Sequence, residues 1–162
     1  MNFTARWSDM EDTQGVREDL PVETVPDRRS QSQADNRCIG EVMQTAVTSI
    51  EARASVMAAV DRMYLSGADC LMVMEDERCV GLLTDRDLIV GCVCRHRRPT
   101  RTHVRDIMSA VSAYCLTSNT IGDVLAMMTR LGASWLPVND ENGNPIGLVG
   151  RRYLDSRPVP TH

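Results

Sequence analysis

Apolar positions fall into two series of short blocks along the chain, and the blocks come in the same order in both. In the first series Ser55 precedes Val56, Ala59, Val60 and Met63. Apolar residues three and four apart behind a hydroxyl predict a helix with one buried face and a side-chain cap. Gly67 stops that helix. Leu71 to Met74 and Cys79 to Leu83 are short apolar runs around the charged turn Glu75-Asp76-Glu77, which predicts two strands and their connection. Thr84 then opens a second helix that runs to about Cys94. In the second series Thr120 is the cap, Ile121, Val124, Leu125, Met128 and Leu131 form the stripe, and Gly132 is the stop. Trp135 to Val138 pairs with Pro145 to Val149 across Glu141-Asn142-Gly143-Asn144, and a short last helix ends near Leu154, ahead of Pro158 and Pro160.

The two series are one unit written twice. Met43 aligns with Met108 at an offset of 65, and at that offset Ser55-Val56 meets Thr120-Ile121, Met63 meets Met128 and Gly67-Ala68 meets Gly132-Ala133. One extra residue near Asn142-Gly143 moves the offset to 66, which puts Gly81-Leu82 on Gly147-Leu148, Arg86 on Arg152 and Leu88 on Leu154. A constant offset over more than thirty residues marks a duplication. Each copy reads as strand–helix–strand–strand–helix behind a short lead helix that ends in Met, an α+β class. The expected boundaries are 38–95 and 104–157, with a basic linker at 96–103 and a short tail at 158–162.

The segment 1–37 differs: its apolar residues follow no period, and it holds eight acidic residues and five Arg, so a disordered tail is expected. The run Arg95 to Arg105, with five Arg and two His, reads first as a solvated linker and second as an anion-facing segment. Aromatics are only 4% of the 162 residues, so the core must come from aliphatic residues and the 10 Met. All 18 basic residues are Arg, yet the net charge is −4, which argues against a general nucleic-acid binder. No apolar run approaches the roughly 20 residues that span a membrane, and the start has no apolar core of an export signal. A cytoplasmic chain is expected, with Cys38, Cys70, Cys79, Cys92, Cys94 and Cys115 as reduced thiols, most of them buried. Cys92, Cys94, His96 and His103 fit no structural-zinc spacing.

Candidate chemistry sits in GLLTDRDL, Gly81 to Leu88, where a strand ends and a helix begins. Helix starts present unpaired N–H groups to anions. Thr84 can donate to a phosphate oxygen, Arg86 can add a charged fork, and Asp87 can accept from vicinal ribose hydroxyls. Thr-x-x-Asp is equally a capping box, with Thr84 at the cap and Asp87 three residues in. The two roles are compatible, since a ligand can displace a cap.

The paired segments GEVM and RDIM, SVMAAVDRM and TIGDVLAMM, SGADCLMV and LGASWLPV, and VGLLTDRDL and IGLVGRRYL carry a resemblance. In order and duplication, over residues 38 to about 155, they resemble the tandem CBS-domain pair, or Bateman module. The resemblance implies two β-α-β-β-α units packed through their sheets about a pseudo-two-fold axis. Two composite clefts between them take adenosine ligands such as AMP, ADP, ATP or S-adenosylmethionine. Carried over by position, one cleft would use Leu82, Thr84, Arg86 and Asp87 with Ser109, Tyr114 and Ser134 from the second unit. Tyr114 is placed to stack on a base, or else is an ordinary half-buried strand residue. The other cleft departs from the pattern: Gly150 stands in for Thr84 and Tyr153 for Asp87, beside Arg151, Arg152, Gln44, Ser49 and Asp69. One site or none is therefore expected, and the absence of basic residues before the second strand counts against a triphosphate.

The reading that follows is a regulatory module that binds one nucleotide, needs no obligatory cofactor and signals to an effector chain. The alternative is a nucleotide-free dimerisation and interaction module. An enzyme is not expected: there is no acid pair or nucleophile triad, and the three His (His96, His103, His162) lie in the linker or at the end. Self-association as a homodimer is implied by the resemblance, with Met57 and Tyr64 off the core stripe of the first helix.

Overall fold

The computed structural model describes residues 37–155 and, of the segment before them, the backbone of Glu23 and Thr24. Apart from those two positions and Arg37, the tails expected at 1–37 and 158–162 lie outside the described residues. In chain order the strands and helices are β1 (Glu23–Thr24), β2 (Ser49–Glu51), α1 (Val56–Ser66), β3 (Cys70–Glu75), β4 (Arg78–Thr84), α2 (Asp85–Leu88), β5 (Ser109–Ala110), β6 (Ala113–Leu116), α3 (Ile121–Leu131), β7 (Trp135–Asn139), β8 (Pro145–Gly150) and α4 (Arg151–Asp155). They build two four-stranded sheets, ordered β2-β3-β4-β5 and β1-β6-β7-β8. β1, inside the segment expected to be disordered, pairs in parallel with β6.

Helix ends follow the sequence signals. The Ser55 and Thr120 hydroxyls accept from the N–H groups of Ala58 and Asp123, and Gly67 and Gly132 close the helices at φ +66 and +64. Such left-handed caps are nearly free of steric cost for Gly alone. The helix expected from Thr84 to about Cys94 is α2 followed directly by a π-helical turn, Ile89–Val93. Between β3 and β4 the chain reverses with Asp76 and Glu77 both at positive φ, which matches the twist of the paired strands.

The uninterrupted apolar run of β3 serves two cores at once. Alternation sends Leu71 and Val73 under α1, and Cys70 and Met72 toward the other sheet. There Leu82, Leu148 and the half-buried Trp135 complete an inter-sheet layer. A strand buried on both faces loses the polar alternation that a one-sided strand shows.

The lead segments do not pack where the linear reading puts them. Expected as short helices of their own units, they are 3-10 turns, Ile39–Glu41 and Val104–Asp106, and each joins the core of the opposite unit. Ile39 packs with Ala113, Ile121 and Leu136 of the second unit, and its N–H donates to Asn119 O at 2.9 Å. Val104 and Ile107 pack with Ile50, Val56 and Leu83 of the first. Each arm then pairs with the sister sheet: Ser109 lies against Leu82, and Gln44 bridges Leu148. The aligned Met and Gly positions of the repeat explain the fit, because Met43 packs on Gly147 and Met108 on Gly81, where a side chain would clash.

Candidate functional site

The arm exchange brings β5 beside the end of β4 and so builds a notch from both units. Leu82 floors it, and the chain leaves β4 at Thr84, which caps α2. Asp87 closes the cap: its Oδ2 accepts from the Thr84 N–H at 2.8 Å and from the Thr84 hydroxyl at 2.7 Å. Its Oδ1 accepts from the Ser109 hydroxyl at 2.8 Å, a bond across the two units. The capping box expected from Thr-x-x-Asp is therefore present, and the second unit's arm is fastened to it.

Beside this cluster is a cavity of about 400 Å³, within the roughly 300–1,000 Å³ usual for small-molecule sites. Six of the seven residues named from the sequence line it: Leu82, Thr84, Arg86, Asp87, Ser109 and Ser134. Arg86 is exposed and is the one cation of the lining. Tyr114 is not part of the wall. Ala113 and Cys115 on its strand turn into the α3 core, so alternation sends Tyr114 to the other face, half-buried and opposite Thr24 of β1. Most of the remaining wall is apolar and was not named from the sequence, Val111, Leu131, Ala133, Trp135 and Pro137 among others, with Ser112 its polar member. The signal was there in part, since Leu131 to Pro137 lies within one of the repeated blocks, LGASWLPV.

The pseudo-equivalent position is built differently. The Trp135 ring lies against Gly150 so closely that an added Cβ would sit 2.8–3.0 Å from three ring carbons. No hydroxyl-bearing residue fits there. Tyr153, at the place of Asp87, sets its ring centroid 5.7 Å from that of Trp135. The Tyr153 hydroxyl donates to Asp69 Oδ2 at 2.6 Å and accepts from Arg152 Nη2 at 2.7 Å, while Arg152 also pairs with Asp69. Asp69 comes from the first unit and Arg152 and Tyr153 from the second, so this contact joins the units. The Tyr153 hydroxyl, with the Asp69 charge near it, raises the Arg152 pKa.

Burial pushes the Cys70 thiol, one β-pair from Thr84, up to about 12, and the Asp87 charge adds to the shift. Burial alone holds Cys115 near 12 and Cys79 near 11. Such thiols stay protonated and unreactive at neutral pH. All six cysteines are free. Among the described residues no helix is long and apolar enough to cross a membrane.

Comparison with known proteins finds two units in tandem. The CBS domain family model matches residues 39–91 and 104–157. An uncharacterized protein of Methanopyrus kandleri is 26% identical over 112 residues, 68% of this chain and 57% of that protein, so the chain spans little more than half of that relative. A crystal structure of a CBS domain is 30% identical, with a TM-score of 0.66, covering 73% of this chain and 94% of the other. A hexameric CBS-CP12 protein from bloom-forming cyanobacteria shares the fold at 18% identity, with a TM-score of 0.66 over 72% of this chain and 68% of that one. No catalytic family is among these likenesses. With two matched units exchanged through their arms and joined by their sheets, the chain belongs to the CBS-domain family as a tandem pair, a regulatory module.

Proposed function

We propose that this CBS pair binds one adenosine-containing nucleotide in the notch at Thr84–Asp87 and signals its occupancy to a partner chain, acting as a homodimer. The observation that carries this reading is the contrast between the two clefts. One borders a cavity lined by a carboxylate, hydroxyls and a cation, and at the other Gly150 and Tyr153 replace the hydroxyl and the carboxylate, with the Trp135 ring against them. In the notch Asp87 Oδ1 would exchange the Ser109 hydroxyl for a ribose hydroxyl. Arg86 would meet a phosphate, and the apolar wall at Ala133 and Pro137 would take the base. With one cation in the lining, a monophosphate is matched better than a triphosphate.

The nucleotide-free interaction module remains the second reading. Its support is that Thr84, Asp87 and Ser109 already satisfy one another without a ligand. A thermal-shift screen of AMP, ADP, ATP and S-adenosylmethionine on wild type and Asp87→Ala separates the two. A ligand at 100 times its Kd adds about 2.7 kcal/mol to a one-site protein. A shift with AMP that Asp87→Ala abolishes, at a stoichiometry of one by calorimetry, supports the sensor. No shift with any of the four moves the function to the interaction module.

A further inference from the structure

The segment that joins the two units is the most densely basic stretch of the described chain. Arg95, Arg97, Arg98 and Arg101 fall close together, all four exposed, and between Asp87 and Asp106 there is no acidic residue. The backbone that carries them is held all the same. The Arg97 N–H donates to Cys92 O at 3.0 Å and the Arg101 N–H to Arg98 O at 2.9 Å. The hydroxyl of the buried Thr102 donates to Arg98 O at 2.9 Å. From α1, the N–H groups of Val56 and Met57 donate to Thr102 O and Pro99 O. The loop is thus a fixed platform with its backbone bonded inward and four guanidinium groups in solvent.

The carboxylates around it are committed elsewhere. Glu75 is shared by Arg105 at 3.5 Å and Arg53 at 3.9 Å, and Asp106 Oδ2 accepts from the His103 N–H at 3.2 Å. Among the described residues no carboxylate forms an ion pair with Arg95, Arg97, Arg98 or Arg101. The repeat shows that folding does not ask for this charge. The bond from the Val56 N–H to Thr102 O has its counterpart in the bond from the Ile121 N–H to Arg37 O, which aligns the loop with Ser30 to Asn36. That stretch has one Asp and no Arg.

A matching counter-charge lies in the same chain. Residues 9–19 hold Asp9, Glu11, Asp12, Glu18 and Asp19 with the single base Arg17, a net −4 against the four Arg of the loop. They precede β1, whose pairing with β6 ties the segment to the folded body. Asp9 is fourteen residues from that anchor, a reach of about 46 Å at roughly 3.3 Å per extended residue. A compact body of this size is on the order of 35 Å across, so the segment is long enough to meet the loop of its own chain.

We propose that the acidic segment 9–19 docks on the Arg95–Arg101 loop of its own chain and screens it, so that an acidic stretch of another molecule meets the loop only in competition. Exposed pairs are weak singly and hold as a network. The contact therefore loosens with salt, as the Debye length falls from about 10 Å at 0.1 M to about 3 Å at 1 M.

The test follows backbone amide shifts of the full chain at low salt in wild type and two charge variants. One carries Asp9→Asn, Glu11→Gln, Asp12→Asn, Glu18→Gln and Asp19→Asn; the other carries Arg97→Gln, Arg98→Gln and Arg101→Gln. The loop side chains changed are exposed, and circular dichroism confirms that both variants fold. Neutralising the segment is expected to move the amides of Cys94 to Thr102, and neutralising the loop to move those of Asp9 to Asp19. Both differences vanish in about 1 M salt, and dilution leaves the wild-type shifts unchanged. A hexaglutamate peptide, as external probe, binds the segment variant at least fivefold tighter than wild type and loses that gain when the loop is neutralised as well. Loop amides that ignore the segment's charge overturn the inference and leave the loop to an anion of another molecule. Differences that fade on dilution also overturn it, in favour of contact between chains. No nucleotide enters this experiment, so a failed nucleotide screen leaves it standing, and its own failure leaves the notch untouched.

Discussion

Gly147→Ala tests the exchange of arms most directly. A methyl group at that position would lie 2.9 Å from the Gln44 carbonyl oxygen and 3.0 Å from Met43 Sδ, well inside the roughly 3.5–4.0 Å of optimal contact. The Met side chain can turn away, but the oxygen cannot retreat cheaply. Gln44 and Leu148 exchange both backbone hydrogen bonds, at 2.9 and 3.0 Å, and moving one strand breaks them. Overpacking of this kind costs about 1–3 kcal/mol. Replacing Gly returns about 0.4–1 kcal/mol by restricting the unfolded chain. The net loss is about 1–2 kcal/mol, or a fall in Tm of roughly 3–10 °C for a folded body of this size. Thermal denaturation at matched protein concentration measures it. Amide exchange locates it: the Ile39, Gly40 and Gln44 N–H groups, bonded to Asn119, Thr117 and Leu148, lose protection first. Met43→Ala in the same chain recovers only part of the loss, because the clash with the oxygen persists. An unchanged or raised Tm, with those three amides protected as in wild type, would refute the exchange.

Asn119 is 4% exposed, and its Oδ1 accepts the Leu116 N–H at 2.7 Å, so Asn119→Ala strands a buried donor; urea denaturation should show a loss of about 1–3 kcal/mol. The thiols of Cys70, Cys79 and Cys115 keep their protons when folded, while the unfolded chain releases them above about pH 9, so stability falls as pH climbs from about 9 toward 12. The slope is up to about 1.36 kcal/mol per pH unit for each thiol, and urea midpoints between pH 8.5 and 11 should show a shallower slope in Cys115→Ala; an identical slope contradicts the assignment. Asp69→Ala breaks the contact with Arg152 and Tyr153, but the ion pair lies at the surface with its side chains 63% and 45% exposed, so thermal denaturation should barely change. The sensitive readout is Trp135 emission, which shifts when the Tyr153 ring loses its anchor.

Features set by a few neighbouring residues were legible in the chain. The caps at Ser55, Thr84 and Thr120, the stops at Gly67 and Gly132, and both strand pairs follow from local backbone chemistry and appear where it puts them. The composite notch came from the resemblance and not from the duplication: the alignment of the two copies pairs Thr84 with Gly150 and Ser134 with Asp69, and only the carry-over from the family set Ser109 and Ser134 beside Thr84 and Asp87. The exchange was not legible, because an apolar arm reads the same whichever core receives it, and only the Met43–Gly147 and Met108–Gly81 fits decide the matter. Of the two roles left open for Tyr114, the structure shows the half-buried strand residue; the sequence could not choose, because the face a strand residue takes depends on register, and one position of slip reverses it. The π-helical turn depends on Gly91 packing against Ile107 from the other unit, a contact far away in sequence.

The surroundings of Gly150 differ from the notch by more than a missing Thr and Asp. Loss of Thr and Asp alone would leave a void, and voids destabilise in proportion to their size. Here the positions have changed together. Where the first unit has Cys70, Thr84 and Asp87, the second has Trp135, Gly150 and Tyr153, and the large ring occupies the space that Gly concedes. Asp69, at the place of Ser134, binds the new Tyr153 and the retained Arg152. The two rings add more side-chain volume than Gly150 gives up, which leaves less room on that side. Trp135 also lines the open notch. One residue therefore stands against Gly150 of its own unit, lines the notch and packs in the layer between the two sheets.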